Sequence, residues 1–216
     1  MITMAVRTTA KTCVVIGGGP VAERRALLFL NDDAHVIVIS PVVTAHLLEL
    51  AQSEKLTWVQ AEADAQNPVK ADFTVLATDS PTLNAAYAKA ARALGSLVNR
   101  ADDRRDCDFT FPASAEVGDL VFAILTTNGS PRLSRLIKAD LVARYKPVAA
   151  MLADLKRWRQ IVQDVLPTPA DRERFWHTYL GDAELQAILN GRWKDVEEKI
   201  SDAIDSIRFE SSNCTR

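Results

Sequence analysis

The sequence predicts an α/β fold: a Rossmann-type, mostly parallel sheet, then a small α+β element and a helical carboxyl-terminal region. Three observations carry this. A β-branched run, Val14-Val15-Ile16, stops abruptly at Gly17-Gly18-Gly19 and gives way to a helical pattern. Through the first half, short apolar runs alternate with helical stretches, as strands buried on both faces of a parallel sheet do. From Pro147 onward the pattern is helical throughout.

The elements follow in order. After the glycines, Ala22, Ala26, Leu27 and Leu30 share one face of a helix reaching Leu30. Val36-Ile37-Val38-Ile39 is the second strand, closed by Ser40-Pro41, and a helix over 44–52 and a short strand over 57–60 come next. Phe73 to Ala77 is the fourth strand. Pro81 then suits the first turn of a helix and Gly95 the residue just past its end. Leu97-Val98-Asn99 is a fifth strand, Phe109-Thr110-Phe111 offers a sixth, and Leu120–Leu125 is one more. Ser130-Pro131 caps a helix expected to run to about Tyr145, with Leu133, Leu136, Ile137 and Leu141 forming an apolar stripe. Breaks are expected at Pro167-Thr168-Pro169 and near Gly181 and Gly191. The domain division is set at 1–113, 114–146 and 147–216.

Bulk properties narrow the function. The chain has 216 residues, a net charge of −2, 48% hydrophobic and 25% charged residues, an ordinary soluble composition. That charge gives no reason to expect nucleic acid or an anionic membrane as partner. No apolar run reaches the roughly 18–20 residues of a membrane span. The segment from Met1 to Lys11 lacks the apolar core of a secretory signal. Three scattered cysteines and three scattered histidines give no metal-ligating set, and a reducing cytoplasm is the expected location.

Gly17-Gly18-Gly19-Pro20-Val21-Ala22 fits the G-x-G-x-x-A spacing of dinucleotide-binding turns. Gly17 permits the tight turn, Gly19 lets a pyrophosphate approach the backbone, and Ala22 allows close helix–sheet packing. The helix entered through Pro20 and Val21 offers unpaired N–H groups and the positive end of its dipole. The second strand ends in Ser40-Pro41-Val42 rather than in an acidic residue, and no Arg or Lys is adjacent. A serine can bond a ribose hydroxyl, and without a nearby cation NAD is preferred to NADP.

Residues 15–26, Val15-Ile16-Gly17-Gly18-Gly19-Pro20-Val21-Ala22-Glu23-Arg24-Arg25-Ala26, resemble the opening of precorrin-2 dehydrogenases, the amino-terminal module of siroheme synthases. The resemblance runs on through Ala77-Thr78-Asp79, Val98 to Asp103, Cys107 to Ala113, Thr126 to Pro131 and Arg172 to Trp176. Asp33 stands where the family carries a helix-ending glycine, which leaves Asn31 as the expected left-handed residue. The Thr126–Pro131 turn is one residue short, and the chain start lacks the family's Pro-containing apolar segment.

The resemblance implies oxidation of precorrin-2 to sirohydrochlorin with NAD as hydride acceptor, and in some members insertion of ferrous iron. Asp102, at the family's catalytic-aspartate position, becomes the general base, although a loop aspartate reads otherwise as a cap, and Asp103 competes for the role. Thr78 and Asp79 line the nicotinamide side or cap the next helix, and Asn99 ends the fifth strand in a comparable position. Arg100, Arg104, Arg105, Arg132 and Arg135 are candidates for the substrate's carboxylates. The Ser130–Tyr145 helix, in the 114–146 element, resembles the family's dimerisation element and implies a homodimer. A regulatory NAD-sensing module is the alternative; it accounts for Gly17–Ala22 but not for the blocks after Asn99.

Overall fold

The computed structural model describes residues 2–126 and 130–213, with side chains to residue 209. The chain divides into two compact units, Met1–Thr110 and Phe111–Arg216. Thr127, Asn128 and Gly129, within the short turn block, lie outside the described residues.

The first unit is a five-stranded sheet in the order β3-β2-β1-β4-β5, every pairing parallel. Its strands are β1 (Thr12–Ile16), β2 (His35–Ile39), β3 (Thr57–Val59), β4 (Phe73–Leu76) and β5 (Leu97–Arg100). Helices α1 (Pro20–Leu30), α2 (Ala45–Gln52) and α3 (Pro81–Ala93) connect them. Cys13 to Ile16 are wholly buried, as a central strand covered on both faces must be. Ala22, Ala26 and Phe29 form the buried face of α1, and Phe29 meets Phe73 at 5.4 Å. Tyr87, Ala88 and Ala91 of α3 close the core around Val14, Ile16, Leu76 and Val98.

Two local expectations change. Asn31 is right-handed, with φ −65°; Asp33 takes the left-handed turn at φ +56°. Aspartate tolerates that region, and the turn lets the Asp33 and Ala34 N–H groups bond Leu30 and Phe29 carbonyls. Asp32 is meanwhile held by the N–H and hydroxyl of Thr8. Phe109–Phe111 forms no strand. Asp108 ties that segment to β5 twice, its N–H donating to the Val98 carbonyl and its carboxylate accepting from the Val98 N–H. The ring of Phe109 then packs edge-on to Phe29 and Phe73.

The second unit opens with an antiparallel hairpin, β6 (Ala113–Val117) and β7 (Leu120–Ile124). Gly118 supplies the positive φ, +56°, of its turn. The sequence reading missed β6, where small and polar residues give a weak apolar alternation. Helix α4 spans Pro131–Val165, 35 residues, and contains Pro147. The expected end at Tyr145 is thus corrected, and the division drawn at 146/147 falls inside α4. A proline forfeits one helical hydrogen bond. Here the segments flanking it are fastened to neighbours, the hairpin packing on α4 and Met151 and Val162 entering a core with α5 (Pro169–Tyr179), α6 (Asp182–Leu189) and α7 (Trp193–Asn213). Breaks fall where expected: Thr168 caps α5, Gly181 precedes α6, and Gly191 has φ +76°. Among the described residues no helix is long and apolar enough to cross a membrane.

Candidate cofactor-binding site

The carboxyl ends of β1, β2 and β4 open onto a cleft of about 700 Å³. Gly17, Gly18 and Gly19 form its floor, Ser40 to Thr44 one wall, and Ala77 to Ser80 with Leu83 the other. The strand order reverses at β1, which has β2 on one side in the sheet and β4 on the other, and parallel sheets bind ligands at such a switch point.

Each glycine has its own reason. Gly17 sits at φ +111°, and a Cβ there would stand 2.5 Å from the Ala77 carbonyl oxygen. A Cβ on Gly18 would stand 2.0 Å from the Val42 carbonyl oxygen, so the middle glycine is required by the Ser40–Val43 turn. Sequence reasoning, which treated position 18 as a free position of the motif, missed this. Around Gly19 the space is open: a Cβ would meet no protein atom within 4 Å. Gly19 is also the N-cap of α1 and brings no side chain to it, while Pro20 holds the first helical position. The first helical hydrogen bond is from the Glu23 N–H to the Gly19 carbonyl. A bare helix entrance with free N–H groups beneath open space fits a dinucleotide pyrophosphate. Val21 is partly exposed at this entrance.

On the β2 side, the Ser40 hydroxyl donates to the Val42 carbonyl at 2.7 Å. The Trp58 indole N–H donates to the Ser40 carbonyl at 2.9 Å, and the Gln60 amide reaches the Pro41 carbonyl at 3.3 Å. Thr44 caps α2 and binds Gly18 through its N–H. Its hydroxyl also donates to Glu23, and this bond together with His46 holds the Glu23 carboxyl below its usual value.

On the β4 side, Thr78 and Asp79 line the cleft. The cap of α3 is Ser80, not either of them. The Thr78 hydroxyl donates to Asn84 Oδ1 at 2.7 Å, and Asn84 Nδ2 donates back to the Thr78 carbonyl at 3.1 Å. Asn84, wholly buried, also helps to lower the carboxyl of Asp102.

Asn99 and Asp102 do not line the cleft. The Asn99 amide is enclosed: its Oδ1 accepts from Arg25 at 2.5 Å and its Nδ2 donates to the Phe109 carbonyl at 2.7 Å. Asp102 is gripped by Arg100 and sits below the usual carboxylate range for that reason first. Arg100, 9% exposed, also binds Asp106 at 2.7 Å, so it is committed to two carboxylates. Asp103 accepts from the Arg105 N–H and caps the 3-10 turn Arg104–Asp106. The charged side chains lining the cleft are Glu62 and Asp79, and no Lys, Arg or His is among the lining residues. Glu62, three residues past β3, carries no local pattern that marks it.

A parallel sheet reversing at a glycine turn, with an uncapped helix entrance over an open cleft, defines a Rossmann-type dinucleotide-binding domain. Comparison with known proteins places it further. A family model described as "Putative NAD(P)-binding" matches residues 4–113, and one for the sirohaem synthase dimerisation region matches residues 144–204. The chain belongs to this NAD(P)-binding family and, in its second half, matches the sirohaem synthase dimerisation region. Siroheme synthase of Methylococcus capsulatus is 32% identical over 198 residues, covering 90% of this chain and 41% of the relative. That of Hydrogenovibrio crunogenus is 31% identical over 201 residues, covering 91% and 42%. The chain therefore spans about two fifths of the length of these relatives. The solved structure of SirC, a precorrin-2 dehydrogenase, shares the fold with a TM-score of 0.74 at 22% identity, covering 94% of this chain and all of that one.

Proposed function

We propose that this protein is an NAD-dependent precorrin-2 dehydrogenase, oxidising precorrin-2 to sirohydrochlorin as a homodimer. The observation that carries the reading is the open, uncapped turn at Gly19 in a chain whose relatives are siroheme synthases. NAD is preferred to NADP because the cleft lining holds two carboxylates and no cation to meet a 2′-phosphate.

Aromatisation removes a hydride and a proton from the macrocycle. Bound NAD+ supplies the hydride acceptor. Gly17, Gly19, Pro20 and Val21 receive its pyrophosphate, Ser40, Pro41 and Val42 flank the adenosine half, and Thr78 and Asp79 flank the nicotinamide half. Asp102 takes the proton on a carboxylate oxygen. Arg100 first, with Asn84, holds that carboxyl below its ordinary value and therefore ionised; the role is assigned from its place in the family's catalytic-aspartate block, not from basicity. Asn99 contributes at one remove, by fastening the end of β5 to Arg25 and Phe109.

Dimer formation is supported by the dimerisation-region match and by α4, which leaves Leu133, Leu136 and Ile137 49%, 56% and 36% exposed. Incubating the chain with precorrin-2 and NAD+ tests the function. Sirohydrochlorin and NADH are expected to rise in equal amounts, whereas NAD+ binding without oxidation points to a sensing module. Adding ferrous iron to the sirohydrochlorin formed tests whether the same chain also consumes it as a chelatase substrate.

A further inference from the structure

The end of β2 leaves one function of a dinucleotide site unfilled. In this fold a carboxylate at that point binds the adenosine ribose diol and discriminates against a 2′-phosphate. Here the strand ends in Ser40-Pro41-Val42. The Ser40 hydroxyl is already donated to the Val42 carbonyl, and Pro41 has no N–H to give. The carbonyls of Ser40 and Pro41 are held by Trp58 and Gln60.

The same bonds bring another carboxylate to the place. β3 lies beside β2 with Ile39 opposite Val59, and the Ser40 N–H bonds the Val59 carbonyl at 3.2 Å. With Trp58 and Gln60, three hydrogen bonds clamp the end of β3 to the end of β2. The chain leaving β3 is thereby delivered to the cleft, where Glu62 joins Ser40, Pro41 and Val42 in the lining. Glu62 has no ion pair or hydrogen-bond partner among the described residues, so its oxygens are available to a ligand. The other carboxylate of the cleft, Asp79, follows β4 on the opposite side of β1.

We infer that Glu62 is the specificity-determining residue of the cofactor site, accepting hydrogen bonds from the adenosine ribose diol of NAD and repelling the 2′-phosphate of NADP. This rests on the NAD reading of the cleft. The two oxygens of a carboxylate suit a vicinal diol, and a phosphate monoester of charge about −2 placed beside Glu62 meets no cation in the lining.

Calorimetric titration of the full chain with NAD+ and with NADP+ tests it without reference to turnover. Wild type is expected to favour NAD+, and Glu62→Gln, of nearly the same size, to lose about tenfold in NAD+ affinity. Glu62→Arg is expected to reverse the order of the two cofactors. Asp79→Asn should shift both affinities by the same factor and leave their ratio unchanged. The inference is overturned if Glu62→Gln and Glu62→Arg, with wild-type melting temperatures, keep the wild-type NAD+ to NADP+ ratio. A wild-type chain that bound neither cofactor would overturn the NAD reading itself, and this inference with it.

Discussion

Arg100 holds Asp102 with two hydrogen bonds, Nη2 to Oδ2 at 2.7 Å and Nε to Oδ1 at 3.3 Å. The guanidinium is 9% exposed and the carboxylate 22%, so solvent screens the pair only in part. The Asp102 carboxyl is held low by Arg100 first, with help from Asn84 against the opposing effect of burial. A carboxyl with a depressed folded value contributes stability above its unfolded value of about 3.9, and that stability disappears as pH falls through the folded value. Arg100→Gln is therefore expected to cost about 3 kcal/mol at neutral pH, with the gap closing under acid. In the same variant the acid limb of the pH–rate profile should move to higher pH, because Asp102 returns toward its ordinary value. Urea unfolding at two pH values checks the first effect, and kcat/KM against pH the second. An acid limb that stayed in place would show that Asp102 is not the proton acceptor.

Much of this site is legible in the sequence because it is local. The turn from β1 into α1 is written in consecutive residues, Val14 to Ala22, and each strand near it is a short apolar run. Contacts that cross the fold leave no such trace. Asn99 lies in β5 one residue before its end, and its amide is engaged by Arg25, 74 residues away in sequence. Glu62 belongs to the cleft because β3 is clamped to β2, and nothing in Gln60-Ala61-Glu62 announces that pairing. Pro147 illustrates the opposite error. Its local signal for a helix end is strong, but packing around α4 outweighs one lost hydrogen bond. Phe109-Thr110-Phe111 has strand propensity, and the cross-links from Asp108 and the aromatic contacts of Phe109 override it.

The amino-terminal part of α4 is expected to be the contact between copies. Leu133, Leu136 and Ile137 occupy neighbouring positions on one face and remain exposed, while Ser134 is buried against its own unit and bonded to Thr126. A glutamate on that face is harmless to a helix exposed in a monomer and unfavourable in an apolar interface, where its desolvation costs several kcal/mol. Leu136→Glu should therefore yield monomers in sedimentation velocity at concentrations where wild type is dimeric. Its far-ultraviolet circular dichroism should stay unchanged. A dimer that survived this change would move the interface off this face.

The three consecutive glycines separate stability from binding. Gly18→Ala drives a methyl group to within 2.0 Å of the Val42 carbonyl oxygen, a clash with backbone that cannot move without undoing the Ser40–Val43 turn. Overpacking of this kind costs about 3 kcal/mol, to be read as a lowered urea midpoint. Gly19 is different in both respects. Its φ of −81° suits any residue, and an added methyl meets no protein atom within 4 Å. Gly19→Ala should therefore unfold within about 0.5 kcal/mol of wild type. The methyl instead takes up space where the backbone must approach the pyrophosphate, so NAD+ affinity should fall about tenfold or more. Wild-type NAD+ affinity in Gly19→Ala would mean that the pyrophosphate does not rest on this turn. The opposite pairing, a destabilised Gly19→Ala beside a stable Gly18→Ala, would mean that the two glycines have exchanged the roles assigned to them.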